Sequence, residues 1–176
     1  MMPRYEEIVQ LKAFARIDGA LLALLWIVGF LAVIYMPASI VGNLLVLSTP
    51  FFVGWRLCRF RDYARDGIIS TRRGFVYSFY TFVYGTLLFG LAQFVYLRFI
   101  DGGAFLSLLT ETINAMIPLY EKNGLSTKEI KETMDMMSML SPIQWAVMFM
   151  LQSFMAGLLL SLPIAAVCSR RFRVGR

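Results

Sequence analysis

The chain has 176 residues, 59% of them hydrophobic and 16% charged, where an ordinary soluble chain has roughly 45–50% apolar and about 25% charged residues. That balance excludes a water-soluble domain and makes residues 1–176 a single integral membrane unit. The net charge of +6 flanks apolar runs instead of covering a folded surface, so it points to bilayer topology and away from nucleic acid.

Histidine is absent. That removes His-based acid–base chemistry, the commonest zinc sites and most haem ligation, and no cofactor is expected. Cys58 and Cys168 both fall at expected cytoplasmic helix ends, where a structural disulfide is not expected.

Ile8, Leu11 and Ala15 recur at helical spacing and predict a short amphipathic lead-in helix. No cleaved signal peptide is expected, because the following apolar run is too long and lacks a small-x-small cleavage site. Arg16 and Asp18 mark the inner boundary of the first span, 19–36. Pro37 stops that helix, and Ser39 can cap the second span, 40–57. Pro50 removes a backbone hydrogen bond there and predicts a kink, with Ser48 or Thr49 placed to satisfy the freed carbonyl.

The stretch RLCRFRDYARDGIISTRR, 56–73, holds six arginines and two aspartates. Its helix should run to about Arg65 with Gly67 as left-handed terminator, Asp62 pairing with Arg65, and Ser70 capping the next helix. The third span, 74–99, is rich in aromatics, with Tyr77 and Tyr96 suited to the two interfacial belts. Residues 101–141 are the sizeable hydrophilic region, and they predict two amphipathic helices. Phe105, Leu109, Ile113, Met116 and Tyr120 form one apolar stripe; Ile130, Met134, Met137 and Leu140 form another. Asn123-Gly124 reads as a helix stop and Ser126-Thr127-Lys128-Glu129 as a capping box between them.

The fourth span, 142–168, opens with Ser141 as cap, Pro142 at the first helical position and Trp145 as an outer-belt anchor. Ser153, Gly157, Ser161 and Ala165 recur every four residues, a small-residue ridge that lets another helix approach closely. Pro163 should bend the inner end of this span.

The fold class is therefore all-α: a polytopic four-transmembrane-helix bundle with two amphipathic helices in the outer loop between spans three and four. Lys/Arg-rich short loops stay inside, which places the 56–73 link, the Arg170–Arg176 tail and both termini in the cytoplasm.

No charged residue falls in the predicted membrane core, which counts against a pump or coupled transporter. Asn43, Gln93 and Gln152 are the buried polar side chains expected besides hydroxyls. Gln93 and Gln152 lie at similar depth on antiparallel spans and are expected to face the bundle interior, with each other as the plainest partners. Loop carboxylates such as Glu111 and Glu132 read as a solvated face, and no phosphate-cradling glycine loop or nucleophile motif is present. Arg56, Arg59, Arg72, Arg73, Arg170 and Arg171 are the candidate contacts for anionic lipid or a membrane-bound partner; setting orientation alone is the simpler role for them.

The ARIDG opening of span one, the RDYARDGIISTRRGF link, YLRFIDGG, GLSTKEI and SPIQWA together resemble a small bacterial inner-membrane family catalogued as domain of unknown function 4199. The resemblance covers nearly the whole chain and carries no established activity, so it implies no site residues. It does imply an envelope-glycan or lipid-linked-sugar context, with a polyprenol-phosphate-type glycosyltransferase as partner. Three function classes remain open: a non-enzymatic scaffold or accessory subunit, a small oligomeric channel or transporter, and a membrane enzyme acting on lipid. Homo-oligomerisation is compatible with the first two.

Overall fold

The computed structural model describes residues 4–123 and 128–169, and all regular structure among them is helical. The order is α1 (Arg4–Tyr35), α2 (Val41–Leu47), α3 (Thr49–Ala64), α4 (Thr71–Phe99), α5 (Ala104–Lys122), α6 (Lys128–Ser138) and α7 (Pro142–Ser169). Three of these, α1, α4 and α7, are long and apolar enough to cross a membrane. The bent pair α2–α3 makes a fourth if it is one span. The chain is thus a helical, multi-pass type of membrane protein.

The expected lead-in helix is not separate: it runs into the first span as the 32-residue α1. Nothing between Arg4 and Tyr35 breaks it, since no proline intervenes and Gly19 and Gly29 lie in helix–helix contacts. Helix α4 packs along both α1 and α7 and forms the axis of the bundle. Close approach depends on glycine. A Cβ added at Gly157 of α7 would lie 2.6 Å from Phe82 Cβ of α4, and one at Gly19 of α1 would lie 2.6 Å from Tyr84 Cβ. In lipid there is little hydrophobic drive between helices, so such close backbone contact is what holds them together.

The α2–α3 segment runs antiparallel down the length of α1. Gly42 meets Gly29, Trp26 Nε1 donates to Thr49 Oγ1 at 2.9 Å, Arg56 meets Asp18, and Arg65 meets Glu7 at 3.2 Å. The segment bends by 43° at Ser48. Pro50 causes the bend because its missing N–H would have bonded Val46 O. Thr49 Oγ1 donates to that same carbonyl at 2.6 Å. The buried indole of Trp26 thus holds the hydroxyl that heals the kink.

At the helix ends, Asp66 and Gly67 both take positive φ, and the Gly67 N–H reaches Arg61 O at 3.0 Å, which ends α3. Ser70 accepts from the Arg73 N–H, and Gln144 Oε1 accepts from both the N–H and the hydroxyl of Ser141. Gly124 of the stop and Ser126 and Thr127 of the capping box lie outside the described residues.

Several side chains face differently from the sequence expectation. Tyr77, Tyr96 and Trp145 are buried between helices and do not project outward as belt anchors would. Helical phase turns each inward, Tyr77 toward Asp18, Tyr96 toward the Tyr35 hydroxyl at 3.2 Å, and Trp145 against the Phe105 ring at 5.0 Å. Asn43 is exposed. Asp62 pairs with the adjacent Arg61 at 2.8 Å, because Arg65 turns away to Glu7.

Candidate functional site

The end of the bundle at the Arg56–Arg73 link gathers the charged side chains. Asp18 leaves α1 only 2% exposed, and Arg56 of α3 and Tyr77 of α4 converge on it. Arg56 Nε donates to Asp18 Oδ1 at 2.6 Å, a second guanidinium nitrogen pairs with the same oxygen, and the Tyr77 hydroxyl donates to Oδ2. Both carboxylate oxygens are therefore taken, and the pair ties three helices together. The rings of Phe60 and Tyr77 stack at 4.7 Å over this junction. A cleft of about 270 Å³ lined by Phe14, Arg59 and Tyr63 is where Arg56 keeps its partial exposure.

A second ionic group lies one step further from the apolar part of the bundle. Glu7 holds Arg65 through Oε1 at 3.2 Å and Arg73 through Oε2. Arg65 also donates to the Glu7 carbonyl at 3.2 Å, and its Nε–H is buried without a partner. These residues, with Lys12, Arg72, Ser70 and Tyr80, line a groove of about 450 Å³ between α1 and α4. The C-terminal end of α7 is fastened to the same region. Arg61 Nη1 donates to Cys168 O at 2.7 Å, placing a cation where a helix C-terminus favours one, and Thr71 and Ser169 share a 2.9 Å hydroxyl contact. Both cysteines are free, and Cys168 Sγ donates to Gly54 O at 3.3 Å.

The candidate residues of the sequence are divided by this arrangement. Arg56 is bound into the Asp18 junction and is not an open lipid contact, since a buried carboxylate claims it. Arg59 is exposed and lies over Trp55 at 5.3 Å and Tyr63 at 5.5 Å. Arg72 and Arg73 face the groove, and Arg73 does have an acidic neighbour, Glu7. Arg170 and Arg171 lie outside the described residues. Gly157, Ser161 and Ala165 are buried along α7 on the side of α4, and Ser153 is half-buried.

Gln93 and Gln152 are not brought together. Gln93 is 2% exposed with its Oε1 unpartnered, whereas Gln152 is exposed on the outer surface of α7. Equal depth did not imply equal phase: α7 presents Gly157 and Ser161 to α4, which turns Gln152 outward. Gln93 instead borders an apolar cavity of about 540 Å³ beside Phe30, Leu31 and Tyr96.

The residues missed from sequence are Glu7, Lys12, Asp18, Arg65 and Tyr77 in these roles. A signal existed: Asp18 and Arg56 close the inner ends of consecutive apolar runs and Tyr77 opens the next, so all three share one depth. Among the described residues no cluster of three or more Cys, Asp or Glu is arranged to hold a metal ion. Chemically the site offers fixed positive charge and a locked carboxylate.

With this geometry in hand, comparison with known families is decisive for membership. The family described as "Protein of unknown function (DUF4199)" matches residues 18–170. The chain belongs to this family. The match starts at Asp18 itself and takes in the whole bundle from there, including Arg56, Arg72, Arg73 and Tyr77, while Glu7 and Lys12 precede it. No curated protein and no solved structure gives a significant match.

Proposed function

We propose that this DUF4199 protein is a four-span bacterial inner-membrane scaffold or accessory subunit, with α2–α3 as one broken span and the arginine link in the cytoplasm. The observation that carries this reading is the state of the outer helices. Helix α5 buries none of its residues, yet it exposes Met116 and Leu119, and α6 with its following turn exposes Met136 and Met139. Thioether and aliphatic side chains on an amphipathic helix adapt to many surfaces, and an uncovered face of this kind suits a membrane interface or a partner protein.

The bundle itself supports the same reading against a channel. Its ionisable junction of Asp18 and Arg56 is closed, and above it Trp26 packs against Phe82 at 6.2 Å and Phe89 at 5.5 Å between ring centroids. A pore through the bundle would put a continuous line of polar groups where these rings pack. The family resemblance adds envelope-glycan or lipid-linked-sugar metabolism as the context and a glycosyltransferase as the partner class.

The test is purification of the protein in mild detergent, followed by identification of stoichiometric companions. Serine at Met116, Leu119, Met136 and Met139 should release the companion while the bundle keeps its melting temperature. Retention of every companion by that variant, or ion flux through reconstituted vesicles, would sink the scaffold reading.

A further inference from the structure

We infer that the groove between α1 and α4 seats the phosphate of an anionic phospholipid headgroup. This holds whether or not the protein serves as an accessory subunit, because it rests on the groove alone. Among the described residues, four cationic side chains, Lys12, Arg65, Arg72 and Arg73, line it against one carboxylate, Glu7. Both Glu7 oxygens are already occupied, one by Arg65 and one by Arg73. Three positive charges are left uncompensated in a cavity of about 450 Å³.

The cations differ in how free they are. Arg65 is 11% exposed, pinned to Glu7 and lying 5.9 Å from the Phe60 ring centre. Its buried, unpaired Nε–H is a polar atom with a hydrogen bond still to make. Arg73 is half-exposed beyond its bond to Glu7. Lys12 rests over Tyr80 at 4.9 Å, and Arg72 is exposed; neither has a carboxylate partner among the described residues. Glu7 thus acts as an internal counter-ion that organises two guanidiniums, and Lys12 and Arg72 are left to meet an incoming anion.

The apolar part of the lining selects a lipid over a free phosphate. Ile8, Leu11 and Val76 line the same groove, and a soluble ion gains nothing from them. A phospholipid uses both kinds of side chain, phosphate on the cations and glycerol or the first methylenes on the aliphatic groups. Depth agrees as well: Lys12 precedes Asp18 by six residues, about 9 Å along a helix, which is headgroup distance from the apolar boundary.

The experiment uses the full-length protein in detergent, titrated with phosphatidylglycerol or phosphatidylcholine and read by native mass spectrometry. Each basic residue at an anionic surface gives about 1 kcal/mol, roughly fivefold in affinity. The double variant Lys12→Gln, Arg72→Gln should therefore lose about 25-fold for phosphatidylglycerol and nothing for phosphatidylcholine. Arg98→Gln, an exposed cation at the opposite end of α4 from the groove, should change neither. Glu7→Gln should tighten phosphatidylglycerol binding by removing the competing anion, and this gain decides the matter even if the double variant fails to fold. An equal loss in Arg98→Gln, weaker or unchanged binding in Glu7→Gln, or displacement of lipid by millimolar inorganic phosphate would each overturn the assignment.

Discussion

Asp18 and Arg56 illustrate how one side chain can decide the state of another. A carboxylate 2% exposed is tolerated in an apolar bundle because Arg56 supplies the counter-charge and Tyr77 the remaining donor. Replacing the whole junction with apolar residues need not destabilise, but removing one partner strands the other. Loss of one member of a buried pair costs about 3–5 kcal/mol. Arg56 retains 19% exposure, so water recovers part of that, and Asp18→Asn should cost about 3 kcal/mol, the low end of that range. In a double-mutant cycle, Asp18→Asn with Arg56→Gln should be less destabilising than the two single changes together by about 1–3 kcal/mol. Equilibrium unfolding in detergent measures all three variants. Strict additivity would mean that the two residues are not an energetic pair.

Among the elements, the broken helix α2–α3 is the one whose shape rests on the fewest atoms. Proline makes the bend, but a bend in lipid is tolerable only when the freed carbonyl finds a donor. Thr49 provides it, and Trp26 donates to Thr49 in turn, so one hydroxyl serves two helices. Thr49→Val leaves the indole N–H and Val46 O without this hydroxyl at once. A single hydrogen bond between membrane helices averages about 0.6 kcal/mol, and an orphaned buried group costs about 1–3 kcal/mol. The valine variant should therefore lose about 1–2 kcal/mol, while Thr49→Ser, which keeps the hydroxyl, should stay close to wild type. Thermal unfolding of the two variants compares them directly; equal melting temperatures would mean the hydroxyl is idle. The kink was legible in the sequence, and its donor narrowed to Ser48 or Thr49, because proline acts locally and leaves a defined carbonyl behind. The indole partner was not, because Trp26 lies 23 residues away and its facing depends on the register between helices.

At the scale of the molecule the same contrast holds, and it also bears on topology. Lipid imposes length and hydropathy on a span, so α1, α4 and α7 could be read from composition. Facing was not readable: α4 carries aromatics on every side, so nothing in its sequence marks Tyr77 and Tyr96 as inward. The antiparallel ladder from Gly42–Gly29 to Arg65–Glu7 supports the proposed single span, since a re-entrant loop would turn back before reaching the charged N-terminal end of α1. From Val41 to Ala64 the two segments rise about 36 Å at 1.5 Å per residue, enough for a hydrocarbon core of about 30 Å. If they form one span, the Met36 turn and the Ile68 link lie on opposite sides of the membrane, and Asn123 at the end of α5 shares the side of Met36. In a background with Cys58 and Cys168 replaced by serine, Met36→Cys and Asn123→Cys should react with an impermeant maleimide on intact spheroplasts. Ile68→Cys, an exposed position, should react only after permeabilisation. Equal labelling of the Met36 and Ile68 sites in intact spheroplasts would make α2–α3 re-entrant and move the arginine link, the lipid groove and the outer helices to new sides.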